Sequence, residues 1–208
     1  MLLTLWRWGY ESGRIDKAPR GILAIRVERQ SIRAWTGSQI KKLLLAAEQT
    51  PGRFRFGLSR RLFLKAWVYL GYETGARWGD LWAMRFAQLE NNTIRWSMCK
   101  TGDPMHRKLS PACLEAITPL KSYSPNDLIL GFACRKRYAM RLWKRLCEAA
   151  DVEGTSKWLR RSGATHVEQQ APGKGRVFLG HRTHGLAERH YFDRAQLMQD
   201  EILVPSLR

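Results

Sequence analysis

The stretch RRLFLKAWVYLGYETGARWGDLWAM, residues 60–84, decides the fold. Its first part, to Gly75, is apolar on most sides. A helix of that kind belongs at the centre of a helical body, since a surface helix shows only an apolar stripe. Gly75 ends it, and Ala76-Arg77-Trp78-Gly79-Asp80 at once reopens a second helix through Leu81 and Met84.

Working outward toward the N-terminus, Ser38 is positioned to cap a helix over QIKKLLLAAEQ, with Ile40, Leu43, Leu44 and Ala47 on one stripe and Pro51-Gly52 as its stop. Residues 1–16 read as a first helix, stopped by Ala18-Pro19-Arg20-Gly21. IRVERQSIRAW then reads as an extended basic linker.

Toward the C-terminus the hydrophobic period changes between residues 85 and 110. Turn signals at Asn91-Asn92 and Thr101-Gly102-Asp103-Pro104 flank β-prone runs at Thr93 to Cys99 and His106 to Leu109. A small antiparallel sheet with Lys100 at a hairpin mouth accounts for them. Ser110 and Pro111 then start a capped helix over SPACLEAITPL. CRKRYAMRLWKRLCEAA is amphipathic, with Tyr138, Leu142, Trp143 and Leu146 on one side and Arg135, Arg137, Arg141, Lys144 and Arg145 elsewhere. The rest is helical, with loops at Pro172 to Gly175 and Thr183 to Gly185. The fold class is α+β, mainly helical, with a small antiparallel sheet packed against helices.

Charge supplies the first functional constraint. The 208 residues carry 36 Lys and Arg against 18 Asp and Glu, a formal charge of +18 and a pI near 10.4. A compact domain this basic repels itself, and a polyanion whose counterions are released on binding relieves the repulsion. Nucleic acid is therefore the leading partner. An anionic membrane surface is the rival, disfavoured because the cations are spread along the chain among Trp and Tyr, with no apolar anchor beside them. Cys99, Cys113, Cys134 and Cys147 form no C-x-x-C pair, which argues against a zinc module or a disulfide framework. MLLTLWRW is too short for a signal-peptide core and no run reaches the length of a membrane span. The expected location is the bacterial cytoplasm, at the nucleoid.

Phosphate chemistry without a metal needs cations aimed at the non-bridging oxygens, a positioned nucleophile and an acid for the leaving oxygen. Arginine suits the first task because its planar fork holds two oxygens. Any single arginine among so many is more often a solvated surface residue. His181, His184 and His190 crowd together, but their spacings of three and six match no zinc-ligand pattern. APGKGR lacks the Lys-Ser/Thr pair of a phosphate-binding loop. No metal and no cofactor are expected.

What changes the weighing is an ordered set: YETGARWGDLWAM, then Lys100-Thr101-Gly102, then KWLRRSGATHV, then FLGHRTH, then Tyr191. From about Ser38 to Arg194 this resembles the catalytic domain of the tyrosine recombinases, the phage integrase family. In that family a T-G-hydrophobic-R-x-x-E/D-L box, a hairpin lysine, an H-x-L-R-H/R-x-x-A-T-H box, L-G-H and a tyrosine follow in that order. The resemblance implies that Arg77 and Arg160 clamp a scissile DNA phosphate, that Tyr191 is the nucleophile, and that Lys100 protonates the departing 5' oxygen. It also implies that His181 hydrogen-bonds the phosphate and that Asp80 orders the site from behind.

Two departures stand out. Lys157 occupies the place of the family's first histidine; it can donate to the phosphate but accepts a proton poorly. The interval from His181 to Tyr191 is ten residues where nine is commoner, which puts His190 in the usual slot. Tyr191 is retained because the preceding loop varies in length. His166 reads as a packed helix residue and His106, near the hairpin, as a surface residue or a contact to the DNA phosphate backbone.

The resemblance further implies a reaction: a 3'-phosphotyrosyl intermediate, then strand exchange by religation, independent of metal and ATP. It implies double-stranded DNA as partner and a tetramer of this chain on paired sites. Residues 1–21 are expected to be a remnant of a helical core-binding domain, 22–37 a basic linker, 38–195 the catalytic domain, and 196–208 a C-terminal tail that docks on a neighbouring protomer. Two alternatives stay open: a non-catalytic DNA-binding relative, and a type IB topoisomerase-like strand transferase.

Overall fold

A computed structural model describes residues 2–21, 31–181, 187–188 and 190–197. Met1–Ser31 and Ile32–Arg208 form separate compact units. In the first, helix α1 spans Leu2–Glu11 and stops earlier than the expected residue 16. Gly13 takes a left-handed φ of 67°, and the chain folds back so that the Ile15 amide donates to the Gly9 carbonyl at 3.2 Å. That glycine turn, upstream of Pro19, is what ends the helix.

The second unit is built around helix α3, Arg60–Thr74, which buries Phe63, Leu64, Ala66, Trp67, Val68, Leu70 and Gly71. Helices α2 (Gly37–Glu48), α5 (Pro111–Ile117) and α7 (Lys157–Gln170) pack around it, so the all-round apolar helix is central. Trp67 lies at the middle of an aromatic cluster, with ring centres of Trp143, Trp82 and Trp78 at 4.5, 5.1 and 5.2 Å.

The cap of α2 is Thr36 and not Ser38. Thr36 Oγ1 accepts from the Gln39 amide at 3.3 Å while Gln39 Oε1 accepts from the Thr36 amide at 2.9 Å. Thr-x-x-Gln completes both halves of a capping box, which Ser38 cannot do from inside the first turn. Of the helix's expected stripe, Ile40, Leu43 and Ala47 are buried and Leu44 packs against the core from a half-buried position.

The compact unit begins ahead of residue 38. Trp35 is fully buried between Trp143 and Trp158, its indole donating to the Glu153 carbonyl at 2.8 Å. The Ala34 amide donates to Asp193 Oδ2 at 2.9 Å. The end of the basic segment is thus fixed by a single large side chain and by long-range hydrogen bonds at Ala34 and Trp35.

Helix α4, Trp78–Ala83, leads into a three-stranded antiparallel sheet ordered β1 (Leu89–Glu90), β2 (Thr93–Ser97), β3 (Pro104–Lys108). The register pairs Ile94 with Arg107 and Trp96 with Met105. Ile94 and Trp96 point into the core and Arg95 and Ser97 to solvent, the two-residue alternation of a sheet with one wet face. Lys100 sits in the turn between β2 and β3, as the turn signals predict. Ser110 caps α5, its hydroxyl accepting from the Cys113 amide at 3.1 Å, with Pro111 in the first turn.

Helix α6, Lys136–Ala149, buries Ala139, Leu142, Trp143 and Leu146 and exposes Lys136, Arg137, Arg141, Lys144 and Arg145. Helix α8, Lys174–Leu179, packs on α7, and α9, Arg194–Leu197, closes the described chain. Among the described residues no helix is long and apolar enough to cross a membrane.

Candidate functional site

Arg160 is the hub. It lies in the second turn of α7 and is buried, yet it carries a charge, so its donors require fixed acceptors. One Nη donates to the Gly75 carbonyl at the end of α3; the other donates to the Leu179 carbonyl at 2.9 Å and approaches His181 Nε2 at 3.5 Å. Its guanidinium carbon stands 5.0 Å from the centre of the Tyr191 ring. Burial pulls its pKa down to about 10, Arg77 pulls the same way, and Tyr191 and Asp80 oppose them. At neutral pH Arg160 remains a cation held in place before any ligand arrives.

Arg77 stands at the break between α3 and α4. Gly75 takes a left-handed φ of 58°, which ends α3, and Arg77 is the extended residue from which α4 starts. Its Nη1 donates to the Met98 sulfur at 3.0 Å, a weak acceptor that an anion outcompetes. Beneath it Asp80 is buried. One carboxylate oxygen accepts from the Arg77 amide at 3.3 Å and the other from the Cys99 amide at 2.8 Å. Asp80 thereby ties Arg77 to the turn that carries Lys100. The same carboxylate pushes the Cys99 thiol pKa up, chiefly through a hydrogen bond.

His181 and Tyr191 meet edge to face, ring centres 4.8 Å apart at 64°. Burial, followed by the positive charges of Arg160, Arg77 and His190, lowers the His181 pKa to about 4. The imidazole is therefore neutral at physiological pH, and its Nδ1 is buried without a hydrogen-bond partner among the described residues. If Nε2 accepts from Arg160, Nδ1 carries the proton.

Tyr191 is half-buried, and the residues after it are pinned. The Asp193 amide donates to Thr165 Oγ1 at 3.1 Å, while the Asp193 carboxylate holds the Ala34 amide and the side chain of Gln196. The sequence motifs do not mark Asp193, and they carry Thr165 only as the threonine of the A-T-H box, with no role assigned to it.

Of the residues expected to form a site, the fold brings together Arg77, Asp80, Arg160, His181 and Tyr191. Lys100, in the β2–β3 turn, and Lys157, in the first turn of α7, are exposed, and among the described residues no hydrogen bond or ion pair joins either to the others. Lys157 precedes Arg160 by three positions and so shares its helix face. His166 is a packing residue, its Nδ1 2.8 Å from the Tyr72 hydroxyl, and His106 is exposed on β3. His190 is exposed; His184 and residues 198–208 of the tail lie outside the described residues. Within the tail's described part, Gln196 donates to the Ala34 carbonyl at 2.7 Å and Leu197, like Val167 and Tyr191, packs against the buried cluster of Ala164, Phe178, Leu179, Ala187 and Phe192.

No protein-family model matches the chain, and no curated protein matches its sequence. Solved structures do match its fold. A lambda integrase dimer bound to a COC' core site superposes with a TM-score of 0.73 at 20% identity, covering 98% of this chain and 60% of that one. XerH site-specific recombinase bound to difH substrate, in a pre-cleavage complex, gives 0.67 at 16% identity over 96% of this chain and 62% of that one. XerA recombinase gives 0.61 at 17% identity over 80% and 63%. The chain spans about three-fifths of the lambda integrase chain it matches. Its fold is that of the tyrosine recombinase catalytic domain, mainly helical with a small antiparallel sheet.

Proposed function

We propose that this chain is the catalytic part of a site-specific tyrosine recombinase that breaks and rejoins double-stranded DNA without metal or ATP. The observation that carries the reading is the contact of one buried arginine, Arg160, with both His181 and the Tyr191 ring, beside Arg77. Two arginines, an imidazole and a phenol around one point suit a phosphodiester: the forks hold its non-bridging oxygens and offset the charge that grows on them in the transition state.

In this reading Tyr191 Oη attacks phosphorus, the bond from phosphorus to the 5' oxygen breaks, and a 3'-phosphotyrosyl link forms. Lys100, on a turn tied to Arg77 through Asp80, delivers a proton to the departing 5' oxygen. His181 donates a hydrogen bond to a phosphate oxygen. A bound phosphodiester brings negative charge beside His181 and Arg160 and raises both pKa values, strengthening them as donors. Lys157 adds a donor where the related enzymes have histidine, but an ammonium has no lone pair to accept the phenolic proton, which leaves to solvent. Attack by a 5' hydroxyl of a partner strand on the phosphotyrosine reverses the step and exchanges strands.

The DNA-facing charge is supplied in part by α6, where Lys136, Arg137, Arg141 and Lys144 line one exposed patch. Phosphate contacts of that kind make binding steeply salt-dependent. Assembly as a tetramer on paired sites belongs to the same proposal; since Gln196 and Leu197 are held on their own compact unit, it is the part of the 196–208 tail beyond Leu197 that would reach a neighbour. The second reading, DNA binding without cleavage, is favoured by Lys157 in the place of a histidine. Incubation with duplexes nicked beside the target phosphate separates the two: cleavage leaves a protein–DNA adduct that survives denaturation, and binding alone leaves none. Relaxation of supercoiled DNA without sequence preference would instead mark a type IB topoisomerase-like enzyme.

A further inference from the structure

Arg107 occupies a position where the pattern of β3 calls for an apolar residue. Met105 and Leu109, two positions to either side, are buried, and its ladder partner Ile94 is fully buried. A cation there needs acceptors built into the structure. It finds them in another element: Nη2 donates to the Val177 carbonyl at 3.2 Å and to the Phe178 carbonyl, in the last turn of α8. Nη1 donates to the His106 carbonyl at 2.6 Å, and the guanidinium lies 5.0 Å from the centre of the Phe178 ring. Burial lowers its pKa.

The last carbonyls of a helix have no partner within it and carry the negative end of its dipole. In α8 two arginines serve them: Arg107 takes that of Phe178 and shares that of Val177 with the Gly180 amide, and Arg160 takes that of Leu179. The chain then turns through Gly180 at a φ of 66°, and the His181 amide donates back to the Arg176 carbonyl at 3.1 Å. A Cβ on Gly180 would come 2.7 Å from the sulfur of Met105, from the same strand as Arg107, so the turn has room only for glycine. The Phe178 ring fills the space left by Gly75 and Gly163, in the turn before Arg77 and the helix of Arg160.

We propose that Arg107 is a positioning residue that sets His181 against Arg160 by clamping the end of α8 to the sheet, and so locks the hairpin bearing Lys100 to the phosphate pocket. The geometric part stands on the hydrogen bonds alone; its consequence for rate rests on the strand-cleavage reading above.

The test uses the whole chain with Arg107→Met and Arg107→Lys, the latter keeping the charge but losing the fork. First, the His181 imidazole is titrated by NMR without DNA, its signal identified by its loss in His181→Gln. Arg107→Met is expected to raise the His181 midpoint by about one pH unit or more, as the ring leaves Arg160 and gains solvent. Arg107→Lys should move it the same way by less. An unchanged midpoint in either folded variant overturns the proposal. Second, adduct formation on nicked duplex is followed at saturating DNA. Arg107→Lys is expected to slow it at least tenfold with half-saturation unchanged; a change confined to half-saturation would make Arg107 a DNA contact and overturn it as well. Absence of adduct in the unsubstituted chain would defeat the strand-cleavage reading, and the titration, which needs no DNA, still decides whether Arg107 sets His181.

Discussion

Asp193 Oδ2 accepts the Ala34 amide at 2.9 Å across 159 residues of sequence. The segment that follows Tyr191 is thereby fastened to the segment that enters the compact unit. With Thr165 Oγ1 taking the Asp193 amide, the tyrosine is anchored from its C-terminal side by buried hydrogen bonds.

Replacing Asp193 with alanine leaves the buried Ala34 amide without its acceptor, a loss of about 1–3 kcal/mol. Chemical denaturation should register that cost, and Asp193→Asn, which keeps an acceptor oxygen, should recover most of it. If cleavage depends on this anchor, the alanine variant also cuts nicked DNA more slowly than its residual stability accounts for.

Gly163 lies in α7 where the helix meets the pocket wall. A Cβ there would come 2.5 Å from the Tyr72 carbonyl oxygen and 2.9 Å from the Phe178 ring. The first of these is backbone and cannot swing away. Gly163→Ala should therefore cost about 1–3 kcal/mol through overpacking, read as a fall in melting temperature of roughly 2–4 °C per kcal/mol for a chain of this size. An unchanged melting temperature would show that α3 and α7 separate more easily than their packing indicates.

His181 gives stability a pH dependence of definite sign. Its folded pKa is about 4 against an ordinary 6.5, so below 6.5 the unfolded chain takes up a proton that the folded chain refuses. Stability falls as pH drops from about 6.5 toward 4, and is flat with respect to this group above that window. His166, lowered chiefly by burial, acts in the same direction. Denaturation midpoints at pH 7 and pH 5 should differ less in His181→Gln than in the unsubstituted chain. Equal differences would place the His181 ring in solvent.

The central helix was legible because its apolar residues surround the whole axis, and the hairpin because turn residues bracket two alternating runs. Arg77, Arg160 and Tyr191 were legible as an ordered set, and the fold brings them to one place. Residues whose meaning lies in a distant acceptor were not legible. Trp35 sits in a run of basic and polar residues, and only the Glu153 carbonyl and the rings of Trp143 and Trp158 explain it. The cap at Thr36 was missed because Ser38 is also a good capping residue; the deciding partner was Gln39. Arg107 did leave a trace in sequence, a cation in the apolar phase between Met105 and Leu109, but its acceptors on α8 could be found only in three dimensions.

The central claim is that Tyr191, set against Arg160 and His181, becomes bonded to DNA. The direct measurement is mass spectrometry of the proteolysed protein–DNA adduct formed on a nicked duplex, with Tyr191→Phe run in parallel. The account predicts a nucleotide mass on the peptide containing Tyr191, at that residue, and no adduct from the phenylalanine variant. An adduct that persists in Tyr191→Phe, or one that maps to another residue, would contradict it.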